Sequence, residues 1–422
     1  MGKLNIFEIT LCNFPGVFYA GQNVQGHCTV ELNEEMSMRG IRLMFEGKAY
    51  VHWSEQHSTG SGKNRRTQTR HYSATEIYFN QDVLLYGIWP SQGRDTTKLG
   101  QGRHTFPFCF VLPPSLPSSF EGAHGYVRYS VKGTIDKPWK FDHTTKKMFT
   151  VICLLDLNAD PNAQMPVQSQ NQKTLCCWCC ASGPITAEFR LERRGYVPGE
   201  PISLFADIRN NSNRKMDKSY IDLRMVTVFH ATSKSRTSTN EVSRITQGPI
   251  EAGQSYSWEG QQLVIPPLPP SYLTGCRIID IRYILQLNVD PSGPATDLEV
   301  PLEILIGTIP LRQVIERYPP RPAAIHPPPQ AEYGPPPGTM YPPPGGASAP
   351  YQPMDPSAPP MQPMMPSMPP NFPPPAYSEC VLGKVSVKDD GDNEHTRGAL
   401  DFAPAYTYYD WGHQPTTMDG KH

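Results

Sequence analysis

A PPxY motif, Pro374-Pro375-Ala376-Tyr377, lies near the end of this 422-residue chain. A polyproline II turn presents the two prolines of such a motif to an aromatic-lined groove and its tyrosine to a neighbouring pocket, as WW domains require. The preorganised backbone lowers the entropic cost of binding. Pro374, Pro375 and Tyr377 are therefore predicted to bind a WW domain.

Two further short motifs lie in the same region. Pro356-Ser357-Ala358-Pro359 fits the P-[ST]-A-P pattern that ESCRT-I reads in an extended conformation, so Pro356, Ser357, Ala358 and Pro359 form a second candidate binding site. Segments this rich in proline generate such tetrapeptides by chance fairly often. Ala403-Pro404-Ala405-Tyr406 resembles a second PPxY motif but lacks the first proline, and is expected to bind poorly.

Four cysteines crowd into Cys176-Cys177-Trp178-Cys179-Cys180. A structural zinc site needs four ligands that converge tetrahedrally, which five consecutive residues can hardly provide, and the chain has no second C-x-x-C pair to complete one. No metal is therefore predicted. Palmitoylation of Cys176, Cys177, Cys179 and Cys180 is one interpretation; an apolar strand or linker tucked between domains is favoured.

Basic residues suggest an anion contact where a strand pattern ends. Lys137 and Lys140 flank Trp139 and could recognise a phosphorylated cargo segment, although a strand-end turn with Trp139 over the domain rim explains the residues equally well. The loop Ser58–Asn64 lacks the first glycine and the final Ser or Thr of a phosphate-binding loop, and is predicted to be a solvated turn. With no nucleophile-and-base constellation, neither enzymatic activity nor a cofactor is expected.

The elements that must carry these motifs are β-strands. Apolar residues alternate with polar ones from Ile41 to Trp53 and from Ile279 to Val289, the period of a strand with one buried face. No segment of the first 318 residues has a convincing helical stripe. Many such strands separated by Gly, Pro and Asn predict an all-β chain of two tandem antiparallel, immunoglobulin-like β-sandwiches.

An internal duplication supports two related domains. Phe18-Tyr19-Ala20-Gly21-Gln22-Asn23-Val24 recurs as Tyr196-Val197-Pro198-Gly199-Glu200-Pro201-Ile202, and Leu112-Pro113-Pro114 recurs as Ile265-Pro266-Pro267. The spacing between copies, roughly 150 to 180 residues, suits a domain and is too long for a solenoid repeat. The predicted boundaries are an N-terminal sandwich at 1–157, a linker at 158–180, a C-terminal sandwich at 181–312 and a tail at 313–422.

Composition separates the tail from the rest. Residues 319–422 contain 26 of the 47 prolines and carry a net charge of −5, whereas residues 1–318 carry +4. A segment so rich in proline and poor in aliphatic residues is predicted to be disordered. The small positive charge argues against nucleic acid as a partner. Without a signal-peptide or membrane-spanning run, and with scattered cysteines that suit a reducing compartment, a cytoplasmic protein is expected.

The body resembles the α-arrestins, the arrestin-domain-containing proteins, from Lys3 to Arg312. The resemblance rests on the duplicated turns above together with Arg39-Gly40-Ile41-Arg42-Leu43, Lys137-Pro138-Trp139-Lys140-Phe141-Asp142 and Ile306-Gly307-Thr308-Ile309-Pro310-Leu311. It implies tandem arrestin β-sandwiches that engage membrane receptors or transporters as cargo. It also implies recruitment of WW-domain HECT ubiquitin ligases by Pro374, Pro375 and Tyr377. Many relatives have two intact PPxY motifs, whereas this chain has one.

Three functions follow from these observations. The first is an adaptor that promotes cargo ubiquitination, endocytosis and endosomal sorting, recruited from the cytoplasm to the plasma membrane and endosomes as a peripheral protein. The second is an ESCRT-I-recruiting scaffold that acts in vesicle budding or endosomal sorting through Pro356–Pro359. The third is a desensitiser resembling β-arrestins that occludes a phosphorylated receptor without using its tail.

Overall fold

The computed structural model describes residues 3–13, 15–59, 66–93, 95–138, 141–175, 183–321, 375–388, 396–398 and 400–412. Among them, two β-sandwiches follow one another along the chain, as predicted, and short strands of the tail pack against both. The core is built mainly from strand residues that alternate between buried and exposed positions, as expected for sheets with one face toward the interior.

The N-terminal domain consists of strands from two facing sheets. In one sheet the strand order is β1-β3-β8; in the other it is β2-β11-β10-β5-β6, with β9 beside β10, and β4 pairs with β7. The strands are β1 (Leu4–Leu11), β2 (Val17–Tyr19), β3 (Asn23–Leu32), β4 (Met36–Met38), β5 (Gly40–Thr59), β6 (Arg66–Gly87), β7 (Thr97–Leu99), β8 (Gly102–Val111), β9 (Phe120–Gly122), β10 (Gly125–Asp136) and β11 (His143–Ile152). A 3-10 turn spans Pro90–Gln92.

The C-terminal domain repeats this plan. One sheet has the order β12-β13-β15-β18 and the other β14-β20-β19-β16-β17. The strands are β12 (Val167–Lys173), β13 (Ile185–Leu191), β14 (Gly195–Tyr196), β15 (Pro201–Asn210), β16 (Met216–His230), β17 (Ser235–Gln247), β18 (Ser255–Val264), β19 (Ile279–Pro291) and β20 (Leu298–Ile306). Short 3-10 turns span Leu157–Ala159, Pro161–Gln164 and Ser271–Leu273.

The predicted duplication is visible in matched turns. Gly21 and Gly199 both have positive φ, +83° and +89°, a conformation that glycine adopts without steric cost. The Gly21 amide donates to the Pro113 carbonyl at 3.0 Å, and the Gly199 amide donates to the Ile265 carbonyl at 2.7 Å. In both domains, therefore, the aromatic-glycine turn is held by the second repeated segment, Leu112–Pro114 in one and Ile265–Pro267 in the other.

Part of the predicted linker is a strand. Residues 167–173 form β12, an edge strand that pairs with β13 from Val167↔Leu191 to Lys173↔Ile185. The sequence of β12 is almost entirely polar, because its side chains lie mostly at the surface. Hydrophobic alternation, the signal used to find the other strands, is therefore missing from this one.

Parts of the tail form regular structure. A short helix, α1 (Arg312–Arg317), lies where the predicted tail begins, and residues 319–422 contain strands β21 (Ala376–Glu379), β22 (Val385–Ser386), β23 (Thr396–Gly398), β24 (Asp401–Phe402) and β25 (Ala405–Tyr408). From residue 376 to 412 the sequence contains a single proline, Pro404, and several tyrosines. The described parts of this stretch bury large apolar side chains such as Tyr406 and Tyr409, which a composition averaged over the whole tail conceals.

Candidate functional site

The PPxY motif continues directly into a strand of the tail. Pro375 is buried, and Ala376–Glu379 forms β21, which pairs antiparallel with β25. In this register Tyr377 lies opposite Thr407, and Ser378 lies opposite Tyr406. The strands that continue from the intact motif and from its degenerate copy thus pair with each other, and Ala376 and Tyr377 of the motif lie opposite Tyr408 and Thr407. Pro374 lies outside the described residues.

The side chain of Tyr377 contacts the N-terminal domain. Its hydroxyl lies 2.8 Å from the hydroxyl of Tyr19, a residue of the first duplicated turn. The ring packs against a small apolar cluster that contains Val17, Tyr19 and Ile152, together with Ala405 of the tail. Burial raises the pKa of Tyr377 above its usual value. The phenol therefore stays neutral and hydrogen-bonded at physiological pH.

The degenerate copy is more deeply buried than the intact motif. Tyr406 is 2% exposed, and its hydroxyl donates to the backbone carbonyl of Ser119 at 2.9 Å. The Ala405 amide donates to Oγ1 of Thr150 on β11 at 3.1 Å. Because a buried hydroxyl without a partner costs free energy, the bond to Ser119 favours this one position for the ring. Tyr406 is accordingly an anchor of the tail.

A second part of the tail extends the N-terminal sheet. Residues 396–398 of β23 pair in parallel with Thr144–Lys146 of β11. The Arg397 guanidinium donates to the carbonyl of Asn5 at 2.7 Å, and the Lys146 ammonium donates to the carbonyl of Val387 at 3.0 Å. These hydrogen bonds join charged side chains to backbone carbonyls, so they fix the orientation of the tail on the domain. The apolar part of the attachment comes from Tyr406.

The same tail segment also contacts the C-terminal domain. The Val381 amide donates to the Pro267 carbonyl at 3.3 Å. The Tyr409 amide donates to the Pro198 carbonyl at 3.1 Å, and the Tyr409 hydroxyl donates to the Thr308 carbonyl at 3.0 Å. Tyr409 is buried in a cluster that includes Leu157, Val197, Leu305 and Leu311, with Trp411 packed beside it. The described parts of residues 375–412 therefore contact both domains.

Other predicted sites are placed only in part. Lys137 follows β10; its ammonium lies 2.7 Å from Nε2 of His143, and its amide donates to Oδ1 of Asp142 at 3.0 Å. Its predicted role in anion binding stays a prediction. Lys140, the cysteines of 176–180 and the motif at 356–359 lie outside the described residues.

Across the described ranges, no group of three or more His, Cys, Asp or Glu side chains is placed to hold a metal ion. In the same residues no helix combines the length and apolar character needed to cross a bilayer.

Sequence reasoning missed the residues that receive the tail. Tyr19, Ser119 and Thr308 belong to the body and gave no signal of a tail contact. Tyr409 and Trp411 did give one: several aromatic residues stand in a stretch almost free of proline. Large aromatic side chains in an otherwise polar terminal segment indicate that the segment packs against something.

Comparisons with known proteins agree with this architecture. Residues 7–158 match the family model described as arrestin (or S-antigen), N-terminal domain, and residues 181–311 match its C-terminal counterpart. Arrestin domain-containing protein 17 of Caenorhabditis elegans is 32% identical over 322 residues, 74% of this chain and 72% of that protein.

Two human proteins show similar relationships. Arrestin domain-containing protein 4 is 32% identical over 296 residues, which cover 70% of this chain and 69% of the relative. Thioredoxin-interacting protein is 29% identical over 306 residues, which cover 72% of this chain and 74% of the relative. With both domain models matched in order and two-thirds or more of each relative covered, the chain belongs to the arrestin family, in its α-arrestin branch.

Proposed function

We propose that this α-arrestin is a non-enzymatic adaptor that links membrane receptors or transporters to WW-domain HECT ubiquitin ligases. The observation that carries the proposal is the intact motif Pro374-Pro375-Ala376-Tyr377 in a tail attached to a two-domain arrestin body. The motif supplies the two prolines and the tyrosine that a WW groove recognises. The body supplies a large folded surface for cargo, and the ligase held by the tail then ubiquitinates that cargo.

The binding step is tested with a peptide that spans Met368 to Val381. It is titrated with the WW domains of a HECT ligase, beside the same peptide carrying Tyr377→Ala. We expect micromolar binding by the native peptide and its loss in the variant, because the substitution empties the tyrosine pocket.

A peptide spanning Leu400 to Asp410 is the matched control. It contains the degenerate copy, which lacks the first proline, and should bind at least tenfold more weakly, a difference of about 1.4 kcal/mol. If the native Met368–Val381 peptide and its Tyr377→Ala variant bind alike, or neither binds, ligase recruitment through this motif is wrong.

The proposed adaptor works at membranes without inserting into them. We propose that it is cytoplasmic and that its cargo recruits it to the plasma membrane and endosomes. The support is the family membership together with the ligase motif, since cargo and ligase meet there. Imaging a tagged chain with and without cargo overexpression tests this location, and a distribution unchanged by cargo would contradict it.

A second candidate function uses the motif Pro356-Ser357-Ala358-Pro359, which fits the ESCRT-I pattern. In that case the protein is a scaffold for vesicle budding or endosomal sorting. Replacing Pro356 and Pro359 with alanine would abolish its function while Tyr377→Ala spares it; the adaptor predicts the reverse. If deletion of residues 319–422 leaves activity intact, neither motif is needed and a receptor desensitiser is the remaining function.

A further inference from the structure

The position of the ligase motif has a consequence for when a ligase can bind. A WW domain needs the motif in a polyproline II conformation with its tyrosine ring free to enter a pocket. Here Ala376–Glu379 is a β-strand, Pro375 is buried, and the Tyr377 hydroxyl is bonded to Tyr19. The tyrosine cannot contact Tyr19 and a WW pocket at the same time, so the motif must detach before a ligase binds it.

The partner strand of the motif is itself firmly attached. Residues 396–398 and 400–412, here called the clasp, hold the buried Tyr406 and Tyr409 and the β23–β11 pairing. Attachment to the N-terminal domain runs through Ser119 and Asn5, and attachment to the C-terminal domain runs through Thr308. Of the described residues of the intact motif, Pro375 is buried, and Tyr377 is half-buried and bonded to Tyr19 of the body. The clasp therefore provides most of the contacts that keep the motif docked.

We propose that the clasp is an intramolecular lock on the ligase motif, and that the degenerate copy Ala403–Tyr406 is part of this lock and no ligase site of its own. This inference rests on the proposed function, because it concerns when the same motif is available. The degenerate copy and the intact motif each end in a tyrosine. Tyr406 of the degenerate copy enters the arrestin body, whereas Tyr377 of the intact motif enters a WW domain. Release of the clasp precedes ligase recruitment.

The size of the effect follows from the population of the open state. When a binding-competent state is only partly populated, the apparent dissociation constant rises by the inverse of its fraction. If the clasp is open about 1–10% of the time, the full chain binds a WW domain about 10- to 100-fold more weakly than the free Met368–Val381 peptide. Removal of the clasp should raise the WW-domain affinity of the chain by the same 10- to 100-fold factor.

The experiment compares WW-domain affinities by calorimetric titration. The samples are the native full chain, the Met368–Val381 peptide, a chain shortened to residues 1–395, and the full chain carrying Tyr406→Ala. Both altered chains keep the motif and the body, and circular dichroism with thermal unfolding checks that the body stays folded. We expect both to bind nearly as tightly as the peptide. Full-length Tyr19→Phe, which removes only one hydroxyl bond, should gain about 3- to 10-fold.

Control variants separate release of the clasp from nonspecific effects. Tyr318→Ala removes a side chain that is 63% exposed and keeps the Tyr318 carbonyl, which accepts from Nε1 of Trp411 at 2.9 Å, so it should leave the affinity of the full chain unchanged. The double variant Tyr377→Ala with Tyr406→Ala should lose binding altogether, which shows that the gain passes through the intact motif.

The outcomes distinguish the lock from the adaptor function. Equal affinity of the native full chain and the peptide would overturn the lock while leaving ligase recruitment intact. If no sample binds, ligase recruitment is wrong, and hydrogen exchange then decides the lock. In the native chain the Cys380 amide, bonded to the Pro404 carbonyl at 2.9 Å, should exchange slowly, and removing residues 396–422 should expose it. Fast exchange in both chains would overturn the lock.

Discussion

At the residue scale, buried charges show where a single side chain matters most. Glu200, in the second duplicated turn, is 2% exposed. It forms an ion pair with Arg193 and accepts the Val197 amide at 3.0 Å. Burial raises the pKa of Glu200, and the Arg193 charge opposes that rise. A carboxylate in this position is tolerated only because a cation and an amide replace the water it has lost.

Arg193→Ala is predicted to destabilise the C-terminal domain by about 3–5 kcal/mol at neutral pH, because it leaves a buried carboxylate unpaired. A group whose folded-state pKa is raised contributes stability that is present below its unfolded value of 4.5 and is lost as pH rises through the folded pKa. Losing Arg193 raises the folded pKa of Glu200 further. The deficit should therefore be large at neutral pH and shrink toward pH 4, as measured by urea unfolding.

The neighbouring Arg194 is the matched control. Its pair with Glu303 is 3.3 Å long and lies at a partly exposed surface, 33% and 39% exposed for the two side chains. Arg194→Ala should cost less than about 1 kcal/mol and show little dependence on pH. Equal losses in the two variants at neutral pH would mean that burial of Glu200 is not what makes Arg193 important.

At the element scale, the duplicated turn has been reused for a different purpose in each domain. Gly21 and Gly199 occupy equivalent positions with positive φ. A side chain at Gly21 would meet only ordinary van der Waals contact, 3.8 Å from Cα of Pro114. A side chain at Gly199 would overlap the carbonyl oxygen of Tyr409 in the tail. The second turn thus also receives the clasp.

This difference allows backbone strain to be separated from tail docking. Gly21→Ala and Gly199→Ala should each lose about 1–2 kcal/mol of stability, because an L-residue is strained at positive φ. Only Gly199→Ala should also release the tail. Hydrogen exchange at the Tyr409 amide, bonded to Pro198 in the native chain, reports this release. Slow exchange of that amide in both variants would contradict the contact.

At the scale of the whole molecule, the tail is one of several connections between the domains. Direct ion pairs join Glu55 of β5 to Lys234 at 2.6 Å and Glu76 of β6 to Arg277 at 2.7 Å. Both cations are exposed, at 45% and 89%, and ion pairs at such surfaces are individually weak. The tail adds buried aromatic contacts on both sides through Tyr406 and Tyr409. It therefore contributes to the relative position of the domains as well as to covering the proposed ligase motif.

Deletion of residues 373–422 is predicted to loosen the domains without unfolding either sandwich. Each sandwich keeps its strands and apolar side chains, and direct contacts such as Phe120 with Phe229 remain, whereas the buried aromatic contacts that the tail makes to both domains are lost. Small-angle scattering should show a broader distribution of distances than in the full chain. Glu76→Ala, which removes one surface pair and keeps the tail, should leave the distribution unchanged. An identical distribution after the deletion would show that the direct contacts suffice.

Local patterns in the sequence were sufficient to predict the strands and the two domains of this protein. Alternation of apolar residues predicted the strands, and two repeated turns predicted paired β-sandwiches, because a strand with one buried face must repeat every second residue. The motif proposed to bind a ligase was also visible in the sequence, since such recognition needs only a few adjacent residues in an extended chain.

The position of the tail on the body follows from tertiary contacts that the sequence did not predict. Whether Tyr406 meets Ser119, or Tyr377 meets Tyr19, depends on contacts between residues hundreds of positions apart, and no local pattern encodes such pairs. The polar edge strand β12 was missed for a related reason: its backbone partner holds it in the sheet, and its side chains carry no signal. A composition averaged over the tail hid a short foldable stretch, because burial depends on the surface that receives it.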